Sequence, residues 1–202
     1  MTDSFEKKFS HHKKNELNVE RLDRSMLKYF WKASPLAGNR QKSLHQFLKK
    51  TNIFSDFSDR EVWILTKYMH QRVFLPHEEI FKEGDIGLGF YLIFSGRVEI
   101  FSNKPTDSGE QKQFKITELG EHDYLGELSL VESSSRRNAS AIAKDAVTLL
   151  ALFKPDMDEL IENAPTVAAK LLQAISRVIA KRFYAVTAEL RVLKEKVSLE
   201  YK

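Results

Sequence analysis

The 202-residue sequence predicts an α+β fold: a jelly-roll-like antiparallel β-roll with helices ahead of it and one long helix behind it. Three observations carry that expectation. Between Arg72 and Phe153, short runs of Val, Ile, Phe and Leu alternate with Gly, Asp, Asn and Ser at near-even spacing, the pattern of short antiparallel strands. On either side the apolar period lengthens to three and four residues, as helices require. Pro155 and Pro165 stand where two helices would open.

In chain order, Leu17, Leu22, Met26, Leu27, Phe30 and Trp31 give helical spacing from Asn15 to Lys32, closed by Pro35 and Gly38. A short helix is expected over Gln41 to Lys50. Ser58-Asp59-Arg60-Glu61 has the form of a capping box, with the serine accepting an amide three residues on and the glutamate reaching back. It predicts a helix through Val62, Leu65 and Met69. Strands are expected at Val73–Leu75, Ile80–Phe81, Phe90–Phe94, Val98–Phe101, Gln113–Leu119, Ala139–Ala143 and Val147–Phe153, with Lys104 to Gly109 as a hairpin loop. After the roll, a helix runs through Leu160 and Ile161, and a longer one extends from Pro165 almost to Lys202. In its second half Phe183, Leu190 and Val197 alternate with Val186 and Leu193, a short heptad seam that suits either a second copy of the chain or the chain's own roll. Three parts are therefore expected: a basic helical extension at 1–50, the roll with flanking helices at 51–165, and the long helix at 166–202.

Composition narrows the function classes. The chain has no cysteine, which removes disulfides, thiolate zinc sites and cysteine nucleophiles. It has no apolar run long enough for a membrane span and no apolar signal core at its start, so a cytoplasmic protein is expected. The net charge of +4 is uneven. Residues 1–50 hold 12 Lys and Arg against 5 Asp and Glu, while the rest is slightly acidic. Because Glu16, Glu20 and Asp23 interrupt the lysines, a solvated helix face explains the basic arm better than a nucleic-acid tail does. The six histidines show no clustered strand spacing of the kind a metal-dependent roll enzyme needs, and no Gly-x-Ser-x-Gly elbow or Walker-type loop occurs. No enzyme activity, metal or cofactor is expected.

The informative stretch runs from Leu119 to Ser140. Gly126 allows close backbone approach to a ligand, and the residues after it suit one short helical turn with amides turned to an anion. An arginine returned by the Ser-rich loop at Ser133–Ser135 supplies a forked, permanent positive charge, and Glu127 can accept from a sugar hydroxyl. Together these describe a pocket for a small anionic sugar phosphate.

The same stretch resembles the phosphate-binding cassette of the cyclic-nucleotide-binding domain family, whose members include the bacterial catabolite activator protein and the regulatory subunit of cAMP-dependent protein kinase. The family pattern is Phe-Gly-Glu-Leu-Ala-Leu, a short variable loop, then Arg-Ala-Ala-Thr. Leu125 to Leu130 match the first half with conservative changes, and Arg137-Asn138-Ala139-Ser140 the second. Ile80 to Asp85, Phe90 to Ile93 and Gly96-Arg97-Val98 resemble the family's second signature, a Gly-Asp turn followed by a strand and a glycine bend. The likeness reaches from about Phe54 to the end of the chain.

Carried over residue by residue, the resemblance implies that Glu127 binds the ribose 2′-hydroxyl and Arg137 the cyclic phosphate, with Arg136 as the rival arginine. Gly126, the amides of Leu128 and Ser129, and the backbone of Asn138, Ala139 and Ser140 would complete the cradle. The ligand it implies is cAMP, or cGMP, since Asn138 is neither the small residue nor the hydroxyl residue that sorts the two in some relatives. His77 and His122 stand where the family often has glycine, so two turns are expected to be built differently. In this reading the chain is a non-enzymatic sensor that signals to a protein effector by moving the helices after Phe153, as a homodimer through the C-terminal helix, with Phe183, Tyr184 or Tyr201 stacking on the base. Relatives that bind DNA continue into a helix-turn-helix. The sequence stops at Lys202, so sequence-specific DNA contact by this chain is not expected. The competing account is a degenerate roll without ligand, serving as an interaction module, in which Glu127 and Arg137 form a structural ion pair.

Overall fold

The continuous apolar run Leu149–Phe153 can sit in a sheet only if both of its faces are covered, and the computed structural model shows what covers them. The structure describes residues 40–105, 111–132 and 135–200. The expected helix from Asn15 to Lys32, residues 1–39 of the basic extension, most of the loop between Lys104 and Gly109, and Tyr201 lie outside those residues. Eight strands form two four-stranded antiparallel sheets. They are β1 (His70–Phe74), β2 (Glu79–Phe81), β3 (Gly89–Ser95), β4 (Val98–Pro105), β5 (Gln111–Leu119), β6 (Tyr124–Leu125), β7 (Ser140–Ala143) and β8 (Val147–Phe153). The sheet orders are β1-β8-β3-β6 and β2-β7-β4-β5.

Strand β8 lies between β1 and β3, and the two-residue alternation of a strand sorts its side chains between two cores. Leu149, Ala151 and Phe153 face the space between the sheets with Phe74, Tyr91, Ile93 and Val98. Leu150 and Leu152, with Phe90 and Leu92 of β3, face the helices. All of these are buried. At about 1.5–3 kcal/mol for each large apolar side chain removed from water, both faces contribute to holding β3 and β8 at the centre.

The helical layer is made of α1 (Arg40–Lys50), a 3-10 turn at Asn52–Phe54, α2 (Asp59–Thr66), α3 (Leu128–Val131), α4 (Lys154–Asn163) and α5 (Pro165–Glu200). The capping box at Ser58 is present: its Oγ accepts the Glu61 amide and its own amide donates to Glu61 Oε2 at 2.7 Å. Helix α2 ends at Thr66 rather than reaching Met69, because pairing of His70 with Ala151 has already drawn the backbone into β1. The short strand β6, paired through Leu125 with Tyr91, had no counterpart in the apolar pattern, since two residues carry no period.

His77 and His122 have φ of 64° and 71°. Both turns thus keep the left-handed backbone that glycine favours, and the expectation that they are built differently is corrected. At His122 the strain is offset by contacts: Nδ1 lies 2.8 Å from Thr51 Oγ1 and the ring stacks on Phe47 at 4.5 Å. Helix α5 divides into two halves. Val167, Ala168, Leu171, Ile175 and Val178 bury themselves against the helical core, whereas Phe183, Val186, Leu190, Leu193 and Val197 are each at least half exposed. The part of this seam from Leu190 to Val197 is therefore left exposed by the described residues. No helix among the described residues is long and apolar enough to cross a membrane.

Candidate functional site

Gly126 follows β6 with φ at 79°, and its hydrogen is a steric requirement. A Cβ there would collide with Arg137 Nη1 and lie 2.8 Å from the Gly89 carbonyl. The chain then enters the single turn α3. Within that turn the Ser129 amide donates to the Gly126 carbonyl at 3.1 Å and the Leu130 amide to Glu127 at 3.2 Å. The Ser129 amide, expected to be turned to an anion, makes its contact within the turn in the ligand-free chain.

Arg137 is almost fully buried, at 5% exposure. Its Nη1 donates to Ser129 Oγ at 3.0 Å and Nη2 to the Gly89 carbonyl at 2.9 Å. The guanidinium lies 4.1 Å from the centre of the Phe81 ring and 5.2 Å from that of Tyr91, within cation–π range. Its backbone is clamped as well. The Arg137 amide donates to Asp85 and its carbonyl accepts from Gly84, at 2.8 and 2.7 Å. That clamp explains the Gly-Asp turn of the sequence: Gly84 takes φ of 85°, and Asp85 closes the turn on the Lys82 amide at 2.9 Å.

Arg136 is placed otherwise. It is exposed, and its Nη1 donates to the Gly84 carbonyl at 2.8 Å. Asn138 is exposed and Ala139 buried, and both line the cavity described below. Ser140 has a different task, since its buried Oγ accepts the Glu83 amide at 3.0 Å and ties β7 to the Gly-Asp turn.

Glu127 faces the same space. Its side chain is 6% exposed, and Oε1 accepts from Arg182 Nη1 of α5 at 2.6 Å. Oε2 is buried with no hydrogen-bond partner among the described residues. An ionised carboxylate with one unpaired buried oxygen is costly to keep, so the geometry leaves a place for one donor. The carboxylate is thus ion-paired with Arg182 of α5. Arg182 also donates to the Tyr124 carbonyl at 3.1 Å and lies over the Tyr124 ring at 5.5 Å. Burial pushes the Tyr124 hydroxyl up from its ordinary range.

These groups open onto one cavity of about 660 Å³. Gly126, Glu127, Leu128, Ser129, Arg136, Arg137, Asn138 and Ala139 all line it, so the predicted site residues other than Ser140 come together. Its outer wall is largely apolar, from Ile100, Ile116 and Leu119 of β4 and β5 and from Ile179, Phe183 and Val186 of α5. Of the candidate aromatics, Phe183 reaches the cavity, while Tyr184 is not among its lining residues. Sequence reasoning missed Arg182 and the β4–β5 wall. Fifty-five positions separate Arg182 from Glu127, and a basic residue beside Phe183 carries no mark of its partner.

Comparison with known proteins agrees with this geometry. Residues 71–164 match the sequence profile of the cyclic nucleotide-binding domain. The cyclic AMP receptor protein of Thermus thermophilus is 34% identical over 130 residues, covering 64% of this chain and 58% of that protein. The chain therefore spans little more than half the length of that relative. The crystal structure of a cyclic nucleotide-binding domain from Methylobacillus flagellatus superposes with a TM-score of 0.61 at 25% identity, over 71% of this chain and 78% of that one. The Thermus thermophilus catabolite activator protein superposes with a TM-score of 0.60 at 30% identity, over 70% of this chain and 62% of that one. On the strand order, the buried arginine and the matching profile, residues 71–164 of this chain belong to the cyclic nucleotide-binding domain family.

Proposed function

We propose that this chain is a cyclic-nucleotide sensor that binds cAMP in the cavity between α3, the β4–β5 wall and α5. The observation that carries the reading is the pairing of two buried, opposite charges around one cavity, Arg137 on one side and Glu127 with an unpartnered Oε2 on the other. Arg137 lines the cavity, and its forked, permanent positive charge is of the kind that suits a phosphate. A ribose hydroxyl would donate to Glu127 Oε2, and the apolar outer wall with Phe183 would take the base. Arg137 is the phosphate residue in this reading, and Arg136 serves the Gly84 turn instead. cGMP is the alternative ligand, because Asn138 does not decide between the two bases.

Signalling follows from the Arg182–Glu127 contact, which joins the ribose side of the site directly to α5. A ligand that meets Glu127 differently in two positions of α5 shifts the balance between them, and its differential affinity sets how far. The half-exposed seam from Leu190 to Val197 would join a second copy of the chain, and a protein effector would read the position of the helix. The non-enzymatic role belongs to this proposal. Thermal melting with saturating cAMP tests it. The wild type and Arg136→Ala should both melt higher with ligand, and Arg137→Ala should show no shift while its ligand-free melt still shows a folded protein. An equal loss in Arg136→Ala, or a full shift in Arg137→Ala, would overturn the assignment.

A further inference from the structure

We infer that the outward face of α2, where Trp63 stands between Arg60 and Lys67, is a docking surface for the chain's own acidic stripe at Glu16, Glu20 and Asp23. None of the three α2 residues lines the nucleotide cavity, so the inference does not depend on how that cavity is read. Arg60, Trp63 and Lys67 stand three and four residues apart, and Lys67, the C-cap, keeps helical backbone, so the three share one face of the helix. All are exposed, Trp63 by 38%. The indole is also held in place, because its ring stacks on His45 of α1 at 4.6 Å with 22° between the planes. A tryptophan fixed in this way has little side-chain freedom left to lose on binding, which suits it to anchor an interface.

Charge decides what belongs on this face. The acids of α2 and of the turn before it are each matched inside the domain: Asp56 by Arg177 at 2.7 Å, Asp59 by Lys49 at 3.1 Å and Glu61 by Lys170 at 2.9 Å. Among the described residues, neither Arg60 nor Lys67 has an acidic partner. Two unmatched cations on either side of an anchored aromatic ring fit an occupant that carries spaced carboxylates next to apolar side chains.

The sequence ahead of α1 has that pattern. At helical spacing Glu16, Glu20 and Asp23 fall on one face, and Leu27 and Trp31 continue it over the next two turns. Glu16 and Asp23 are seven positions apart, as are Arg60 and Lys67, so at 1.5 Å per residue both stripes run about 10 Å. The link is long enough to bring them together. The seven residues from Ala33 to Asn39 can reach about 25 Å, while His45, on which Trp63 rests, lies only about 8 Å along α1 from its start at Arg40. Pro35 and Gly38 in that link suit a reversal of the chain direction. Docking would also give the acids, a minority in a basic arm, a definite partner.

The test is acrylamide quenching of tryptophan fluorescence in the 202-residue chain carrying Trp31→Phe, which leaves Trp63 as the sole tryptophan. With the stripe docked, Trp63 is shielded from the quencher, equally at all protein concentrations, and high salt weakens the shielding because exposed pairs are screened. Arg60→Glu with Lys67→Glu should lose the shielding while the cooperative urea transition of the domain is kept, and the milder Arg60→Gln with Lys67→Gln should lose part of it. Adding Glu16→Lys, Glu20→Lys and Asp23→Lys to the double glutamate variant exchanges the charges and should restore it. Quenching that ignores the charge reversal, or that the exchange does not restore, would overturn the inference. So would shielding that grows with protein concentration, which makes a second copy the occupant, or shielding that appears only with phosphatidylserine vesicles, which assigns the surface to a membrane.

Discussion

Removing Arg182 isolates the buried charge of Glu127. In Arg182→Ala the Glu127 carboxylate loses the 2.6 Å contact to Oε1, and Oε2 has no partner among the described residues, so both oxygens stand in a side chain that is 6% exposed. The magnitude lies between two limits. Breaking a fully buried pair by deleting one partner costs about 3–5 kcal/mol, whereas an exposed pair is worth about 0.2–1 kcal/mol. The carboxylate sits at the first limit, but the arginine is 49% exposed, so water screens the pair. The expected cost for ligand-free protein is therefore about 1–3 kcal/mol, read by urea unfolding. A second variant separates charge from packing. Glu127→Gln removes the buried charge, so Arg182→Ala should cost markedly less in a Glu127→Gln background, with a coupling of about 1 kcal/mol or more. A loss under about 0.3 kcal/mol in the single variant, or no coupling in the double, would refute the claim that α5 is held to the site through this pair.

Other outcomes follow from the same geometry. Gly126→Ala places a side chain at φ of 79°, which costs about 1–2 kcal/mol before its collision with Arg137 is counted, so it should unfold at lower urea and lose its thermal response to cAMP. Glu61 is held at about 2 by Lys170 of α5 and the Ser58 amide, against an ordinary 4.5. Because its folded value is depressed, the stabilisation is complete above 4.5 and lost as pH falls through 2. Glu61→Gln keeps a capping group but should flatten that acid-side loss in far-UV circular dichroism; as the pair lies near the surface, it is worth under about 1 kcal/mol. Leu190→Glu with Leu193→Glu places charge on the exposed seam of α5. If the seam joins two copies as proposed, sedimentation should report a dimer for the wild type and a monomer for the variant, with the far-UV spectrum unchanged.

The sequence made the roll legible because its strands obey simple rules. Short apolar runs between turn residues assigned β3, β5 and β8 closely but ended β4 at Phe101 where it runs on to Pro105, into the expected hairpin loop, and Pro155 and Pro165 marked the starts of α4 and α5 to within a residue. Capping chemistry found α2 but overran its end, since the pull of β1 on His70 is a tertiary effect with no local signature. The two left-handed histidines show the same limit: the residue type spoke against a glycine-like turn, and the stacking on Phe47 that sustains His122 joins residues far apart in the chain. At the site, Gly126, Glu127 and Arg137 were readable because the cassette is contiguous in sequence. Arg182 was not, because only the return of α5 across the cavity brings it to Glu127. Ser129 was read through its amide, and the contact of its side chain with Arg137 emerged only in the structure.

The most direct measurement is isothermal titration of the wild-type chain with cAMP, alongside cGMP and non-cyclic AMP. One saturable site per chain for a cyclic mononucleotide, with non-cyclic AMP far weaker, is the result expected of two buried charges spaced around a cyclic monoanion and its sugar. Absence of binding to either cyclic nucleotide would contradict it.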